Sequence, residues 1–187
     1  KPMARFISYG HAGVDPKYMG IGPVPAVPKA LAKVDLKVSD MDIIKSRGAG
    51  IAHCPLSNAY ISNAVLPLRA ALAKGLNTGL GTDISGGPSA SMLDSMRMCV
   101  AASRMLEDGV DPVRPSSSRG RPQSRVNWQT AFHLATAGGA QVLDIPTGRF
   151  EAGQHFDAIV IDAARPEGTI RLVDHGMPHE DIPARII

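Results

Sequence analysis

The strongest chemical candidates are two polar clusters, each standing just after a short apolar run: His53-Cys54-Pro55-Leu56-Ser57-Asn58 and Gly81-Thr82-Asp83. Proteins that alternate strands and helices bind ligands beyond the carboxyl ends of parallel strands. Asp83 in that position, with Gly81, Gly86 and Gly87 letting the backbone approach closely, suits a zinc ligand that also shuttles a proton. The competing role is to cap the turn that follows, since aspartate readily bonds its own backbone. The six histidines, His11, His53, His133, His155, His175 and His179, contain no His-x-His pair. His175 and His179 are four apart, but Gly176 and Pro178 break the helix that would align them. His133, among apolar residues in a helical run, reads as a packed or surface histidine. Cys54 and Cys99 are 45 apart with no Cys-x-x-Cys, which indicates neither a disulfide framework nor a thiolate zinc site and fits a reducing compartment.

Several elements must position these groups. Ile51 to Cys54 reads as an apolar strand stopped by Pro55, Val65 to Lys74 as a helix with Gly75 past its end, and Thr78 to Leu80 as a second strand. Strand, loop, helix and strand in that order predict a parallel pair. Ser91 to Leu106 places Leu93, Met96, Val100 and Leu106 on one helical face, with Ser91 and Asp94 in a capping arrangement. A further helix is predicted over Trp128 to Leu143, with Asn127 as its N-cap. Ala158 to Ile161 reads as a strand. Upstream, Asp15 to Pro28 is a Gly- and Pro-shaped loop, followed by short helices over Lys29 to Val34 and Met41 to Ser46.

The 187 residues are 44% hydrophobic, 20% charged and 4% aromatic, an ordinary globular composition. The chain falls short of the ~250 residues of a complete eight-stranded barrel. It opens on Lys1 without a secretory leader, so the expectation is a fragment or trimmed chain, and no apolar run nears the ~20 residues that span a bilayer. The formal net charge of +3 is unevenly placed: residues 1 to 48 carry +4, 49 to 111 carry −1, 112 to 126 carry +4 and 127 to 187 carry −4. Pro112 to Val126 has three Pro, four Ser and four Arg with no acid, and reads as a flexible, exposed basic loop. Arg114, Arg119, Arg121 and Arg125 could touch phosphate there, but no aromatic residue interleaves with them and the expectation is no nucleic-acid partner.

Four motifs in register, GAGIAHCPLSN, GLGTDISGGPSASMLDSMR, AFHLATAGGAQVL and GRFEAGQHFDAIVID, resemble the C-terminal part of guanine deaminases of the amidohydrolase superfamily, over about residues 46–174. The resemblance implies an α/β fold, the last strands and helices of a TIM barrel, with a remnant of the accompanying β-sandwich in Gly148 to Asp162. It also implies a zinc aminohydrolase converting guanine and water to xanthine and ammonia. Asp83 matches the family's zinc-binding and catalytic aspartate, while His53, Ser57 and Asn58 match the wall of the site, with His53 a positioning residue. The family's His-x-His pair, third histidine ligand, proton-moving glutamate and further catalytic histidine have no counterpart here, so the chain is expected to be incomplete and inactive alone.

Residues 1–42, with MGIGPVPA at Met19 to Ala26, resemble a thiolase segment instead. The resemblance implies a loop and helix that shape an acyl-CoA site, yet the thiolase nucleophile and its partners are missing. The expected organisation is a thiolase-like segment over 1–42, the barrel part over 43–145 and the small β domain with tail over 146–187. The joint near Ser39 to Ile44 suggests a fused, truncated or mispredicted gene product, which leaves an acyl-CoA acyltransferase remnant and a non-enzymatic product as alternatives. Expected partners are a purine and a second copy covering the open sheet edge, with no membrane, in the cytoplasm.

Overall fold

The structure, a computed structural model, describes residues 48–161 apart from Ser85, together with 11–13, Lys29, Ala32, Lys33 and Ser46. Apart from those isolated positions, the thiolase-like segment, the helices expected at Lys29 to Val34 and Met41 to Ser46, and the tail with His175 and His179 lie outside the described residues.

Strand β1 (Gly50–His53) pairs in parallel with β2 (Asn77–Leu80), Gly50 opposite Asn77 and His53 opposite Leu80. The parallel pair predicted from the strand-helix-strand pattern is therefore present. Because the register is parallel, both polar clusters emerge from the same edge of the sheet. β2 is buried over Thr78 to Leu80, whereas Gly50 and Ala52 of β1 stay exposed.

Where a loop is expected after Pro55, the chain forms helix α1 (Pro55–Ser62). Proline's fixed φ and missing N–H both suit the first helical position, so Pro55 ends the strand and opens the helix at once. Helix α2 (Leu68–Ala73) is shorter than the predicted Val65 to Lys74, because Pro67 holds Leu66 out of the helical region. Helix α3 (Met92–Asp108) starts as predicted, with the Ser91 hydroxyl accepting the Asp94 N–H at 3.3 Å.

The single helix predicted over Trp128 to Leu143 is two helices, α4 not among them: after the one-turn α4 (Ser116–Arg119), α5 (Trp128–Ala135) and α6 (Ala137–Leu143) divide at Thr136. Thr136 leaves helical geometry at φ −119° and ψ −99°. The break lets α6 lie directly on β2: a Cβ on Gly79 would stand 2.8 Å from the Gly139 Cα, and one on Gly138 would stand 2.8 Å from the Thr78 carbonyl. Side-chain periodicity carries no trace of that backbone-to-backbone contact. Asn127 caps α5 as expected, its Oδ1 accepting the Thr130 N–H at 2.9 Å.

The core gathers Leu68 from α2, Leu80 from β2, Met96 and Cys99 from α3, and Ala131 and Leu134 from α5, with Val126 closing one side. Burying a leucine such as Leu134, 1% exposed, contributes about 1.5–3 kcal/mol. The 112–126 segment is exposed over most of its length but fastened to the end of α3. Glu107 Oε2 accepts the N–H groups of Ser124 and Arg125 at 2.9 and 2.7 Å, and Arg125 grips both oxygens of Asp108 at 2.7 and 2.8 Å. Arg119 donates to the Asp108 carbonyl at 2.9 Å, and Arg114 lies 3.6 Å from Asp111. Three of the four loop arginines thus answer groups of the protein itself.

Ala158 to Ile161, predicted as a strand, carries no strand structure, and Ile159 and Val160 are 81% and 97% exposed. An apolar run becomes a strand only where a neighbour completes its hydrogen-bond ladder, and none does so among the described residues. Among those residues no helix is long and apolar enough to cross a membrane.

Candidate functional site

The two polar clusters meet at the carboxyl ends of β1 and β2. His53 is the last residue of β1, and its carbonyl accepts the Gly81 N–H at 2.8 Å, extending the pairing one step beyond β2. Asp83 then takes a left-handed conformation, φ 54°. Its carbonyl accepts the Gly86 N–H at 2.9 Å and that of Gly87 as well, and Thr82 Oγ1 accepts the Ile84 N–H at 3.3 Å. The turn is closed by main-chain groups and the Thr82 hydroxyl, which leaves the Asp83 carboxylate for another partner.

That partner is Ser57, on the first turn of α1. Its hydroxyl donates to Asp83 Oδ2 at 2.5 Å, a short charge-assisted bond across 26 residues of sequence. Ser57 is buried, while Asp83 is exposed. The helix that sequence reading takes for a loop is what carries Ser57 to the carboxylate. Asn58 belongs to the same helix, its N–H donating to the Cys54 carbonyl at 2.9 Å and its carbonyl accepting the Ala64 N–H at 3.0 Å.

His53, at the end of β1, is 4% exposed, and its Nδ1 is buried without a hydrogen-bond partner among the described residues. Burial drives its pKa down from 6.5 to about 4, so the imidazole is neutral at physiological pH. Cys54, half-buried, has its thiol pKa raised, first by burial and then by the Asp83 charge, against a smaller opposing backbone hydrogen bond. Its closeness to Asp83, like the Ser57 bond, is not read from the sequence; the adjacency to His53 in the His-Cys-Pro run is the available signal. His133 is exposed on α5 and belongs to no cluster.

Among the described residues, no three of His, Cys, Asp and Glu converge in a group that could hold a metal ion. Zinc sites use three or four protein donors. Here the exposed Asp83 carboxylate has one oxygen already bonded to Ser57, and His53 is buried. The donor set does not fit a zinc ion.

A short parallel pair carrying its polar residues at the carboxyl edge is the arrangement in which parallel α/β proteins, barrels among them, place their sites. The amidohydrolase family model matches residues 24–181, and the chain belongs to that family. It is 37% identical over 139 residues to mouse (Mus musculus) guanine deaminase, covering 73% of this chain and 28% of that protein. The chain therefore spans just over a quarter of the length of that relative. The solved guanine deaminase of E. coli matches 62% of this chain and 24% of its own at 29% identity, with a TM-score of 0.47. A beta-ketothiolase of Cupriavidus necator is 57% identical over 60 residues, 32% of this chain and 15% of that protein. The chain thus has a thiolase-like stretch beside its guanine deaminase-like part. That stretch is longer than the 42 residues expected, and the two matches together exceed the chain's length, so they overlap.

Proposed function

We propose that this chain carries one part of a guanine deaminase-type site, with Asp83 as the metal-ligating, proton-carrying carboxylate and His53, Ser57 and Asn58 as its wall. The reaction is a hydrolysis: water adds at the purine carbon bearing the amino group, the C–N bond breaks, ammonia leaves and xanthine remains. The Ser57–Asp83 hydrogen bond supports the reading most directly. It fixes one carboxylate oxygen at the edge of the sheet and leaves the other outside that bond. Zinc chemistry needs more donors than Asp83, so the isolated chain is expected to be inactive. Ammonia release from guanine by the purified chain tests this. The expected result is none above the buffer blank, and release that disappears in Asp83→Ala would show a complete site and reject the incompleteness.

The same reading places the chain in the cytoplasm with both thiols free, as the structure has them. It assigns 43–145 to the barrel part and 146–187 to the small β domain, and it lets a second copy cover the open edge of β1. Size-exclusion chromatography checks the last point, and a strictly monomeric chain would remove it. The thiolase identity supports a second reading, a remnant acyl-CoA site through Met19 to Ala26. Calorimetric titration with CoA decides it, since absence of heat removes that reading.

A further inference from the structure

We propose that a cavity between α2, α3 and the start of α5 binds the phosphate group of a small phosphate monoester. The cavity holds about 500 Å³ and is lined by three arginines, Arg69, Arg104 and Arg125, by Asn127 and Thr130, and by apolar Leu72 and Val126. That volume lies within the range of small-molecule sites, and it exceeds what a bare phosphate needs. No acidic residue lines it.

The three cations are not equivalent. Arg125 is neutralised by its two-oxygen grip on Asp108 and by Glu107 at 3.5 Å. Arg69 has no carboxylate partner among the described residues; its guanidinium donates to the Arg125 carbonyl at 3.4 Å, which ties it to the cavity wall. The Arg104 side chain, on the exposed side of α3, forms no ion pair or hydrogen bond among the described residues. Two uncompensated guanidinium groups, 35 residues apart in sequence, therefore share one cavity. Like charges gathered without a counter-charge repel each other, and a dianion answers both at once. The Asn127 carboxamide oxygen is occupied by the N–H and hydroxyl of Thr130, at 2.9 and 2.8 Å, which leaves its NH₂ as the group able to donate. A lining of mostly donor side chains and no carboxylate matches a phosphate, whose oxygens accept, and the planar guanidinium fork fits phosphate geometry. Leu72 and Val126 provide an apolar wall for the organic body of the ester. This binding does not depend on deamination, because no residue of the Asp83 cluster lines the cavity.

Trp128 is the chain's single tryptophan and follows Asn127 directly, so its fluorescence reports on this cavity. Phenyl phosphate, titrated into the full chain at low ionic strength with calorimetry alongside, is expected to bind saturably. Arg69→Ala and Arg104→Ala should each weaken it about tenfold or more, while Arg114→Ala on the exposed loop leaves it unchanged. Arg104→Lys keeps the charge but loses the fork, and should fall between wild type and Arg104→Ala. Both arginines are exposed, and far-UV circular dichroism of each variant guards against a folding defect. Four results overturn the proposal: no saturable binding, binding unchanged in a folded variant that combines Arg69→Ala with Arg104→Ala, benzoate binding as tightly as phenyl phosphate, or a single-stranded oligothymidylate displacing the ester with an affinity that grows with its length.

Discussion

His53 makes the acid limb of stability the most informative property of this chain. The imidazole is 4% exposed with an unpartnered Nδ1, and its pKa falls from 6.5 to about 4 because burial penalises the charged ring. The unfolded chain binds this proton as the pH drops through 6.5, whereas the folded chain resists it until about 4. The His53 contribution is thus whole above pH 6.5, declines across that window and is gone below about 4. Each tenfold difference in proton affinity is worth about 1.4 kcal/mol, so the full loss is about 3 kcal/mol. A domain of ordinary stability has about 5–15 kcal/mol in total, so that is a large share. Carboxylate pairs also weaken over this range, and a His53→Leu variant separates the two effects because it keeps a buried apolar side chain without the titration. Urea unfolding of both proteins from pH 7.5 to 4.5 should show the stability difference shifting steadily in the variant's favour on acidification. A difference constant with pH, or a His53 ring resonance titrating near 6.5, would refute the reasoning.

Three further outcomes follow from the packing. Gly79→Ala places a methyl group against the Gly139 backbone, and should cost about 1–3 kcal/mol in urea unfolding, because neither main chain can yield without lifting α6 from β2. Asn127→Ala removes the cap of α5 and should cost about 1 kcal/mol by thermal unfolding, with Asn127→Asp largely sparing it. Cys99 is 1% exposed with its thiol pKa pushed up to about 12, so a thiol-specific reagent at pH 8 should label the half-buried Cys54 in the folded chain and reach Cys99 only after denaturation.

What the sequence makes legible is whatever rests on local chemistry. The parallel pair follows from two short apolar runs with a helical stretch between them, and the Ser91 and Asn127 caps follow from residue type at a helix start. The break at Thr136 is invisible, because it exists to bring Gly138 and Gly139 against β2, a contact between main chains with no side-chain period. Ala158 to Ile161 fails for the opposite reason: its apolar pattern suits a strand, but strand structure depends on a neighbour that local sequence cannot supply. At the candidate site, Asp83 is marked by its place after β2 and by the family motif. The Ser57 bond to it depends on α1, whose start at Pro55 reads equally well as a strand stop. The cavity arginines leave no mark, since Arg69 and Arg104 are joined only by the packing of α2 on α3.

Asp83, the carboxylate proposed as the family's metal ligand, is held by Ser57 at the edge of a parallel pair, and among the described residues no further donors join it to hold zinc. Metal analysis by plasma mass spectrometry, on chain equilibrated with a small excess of zinc and then desalted, tests it directly. The account predicts far less than one zinc per chain, unchanged in Asp83→Ala. One zinc per chain that is lost in Asp83→Ala would contradict it.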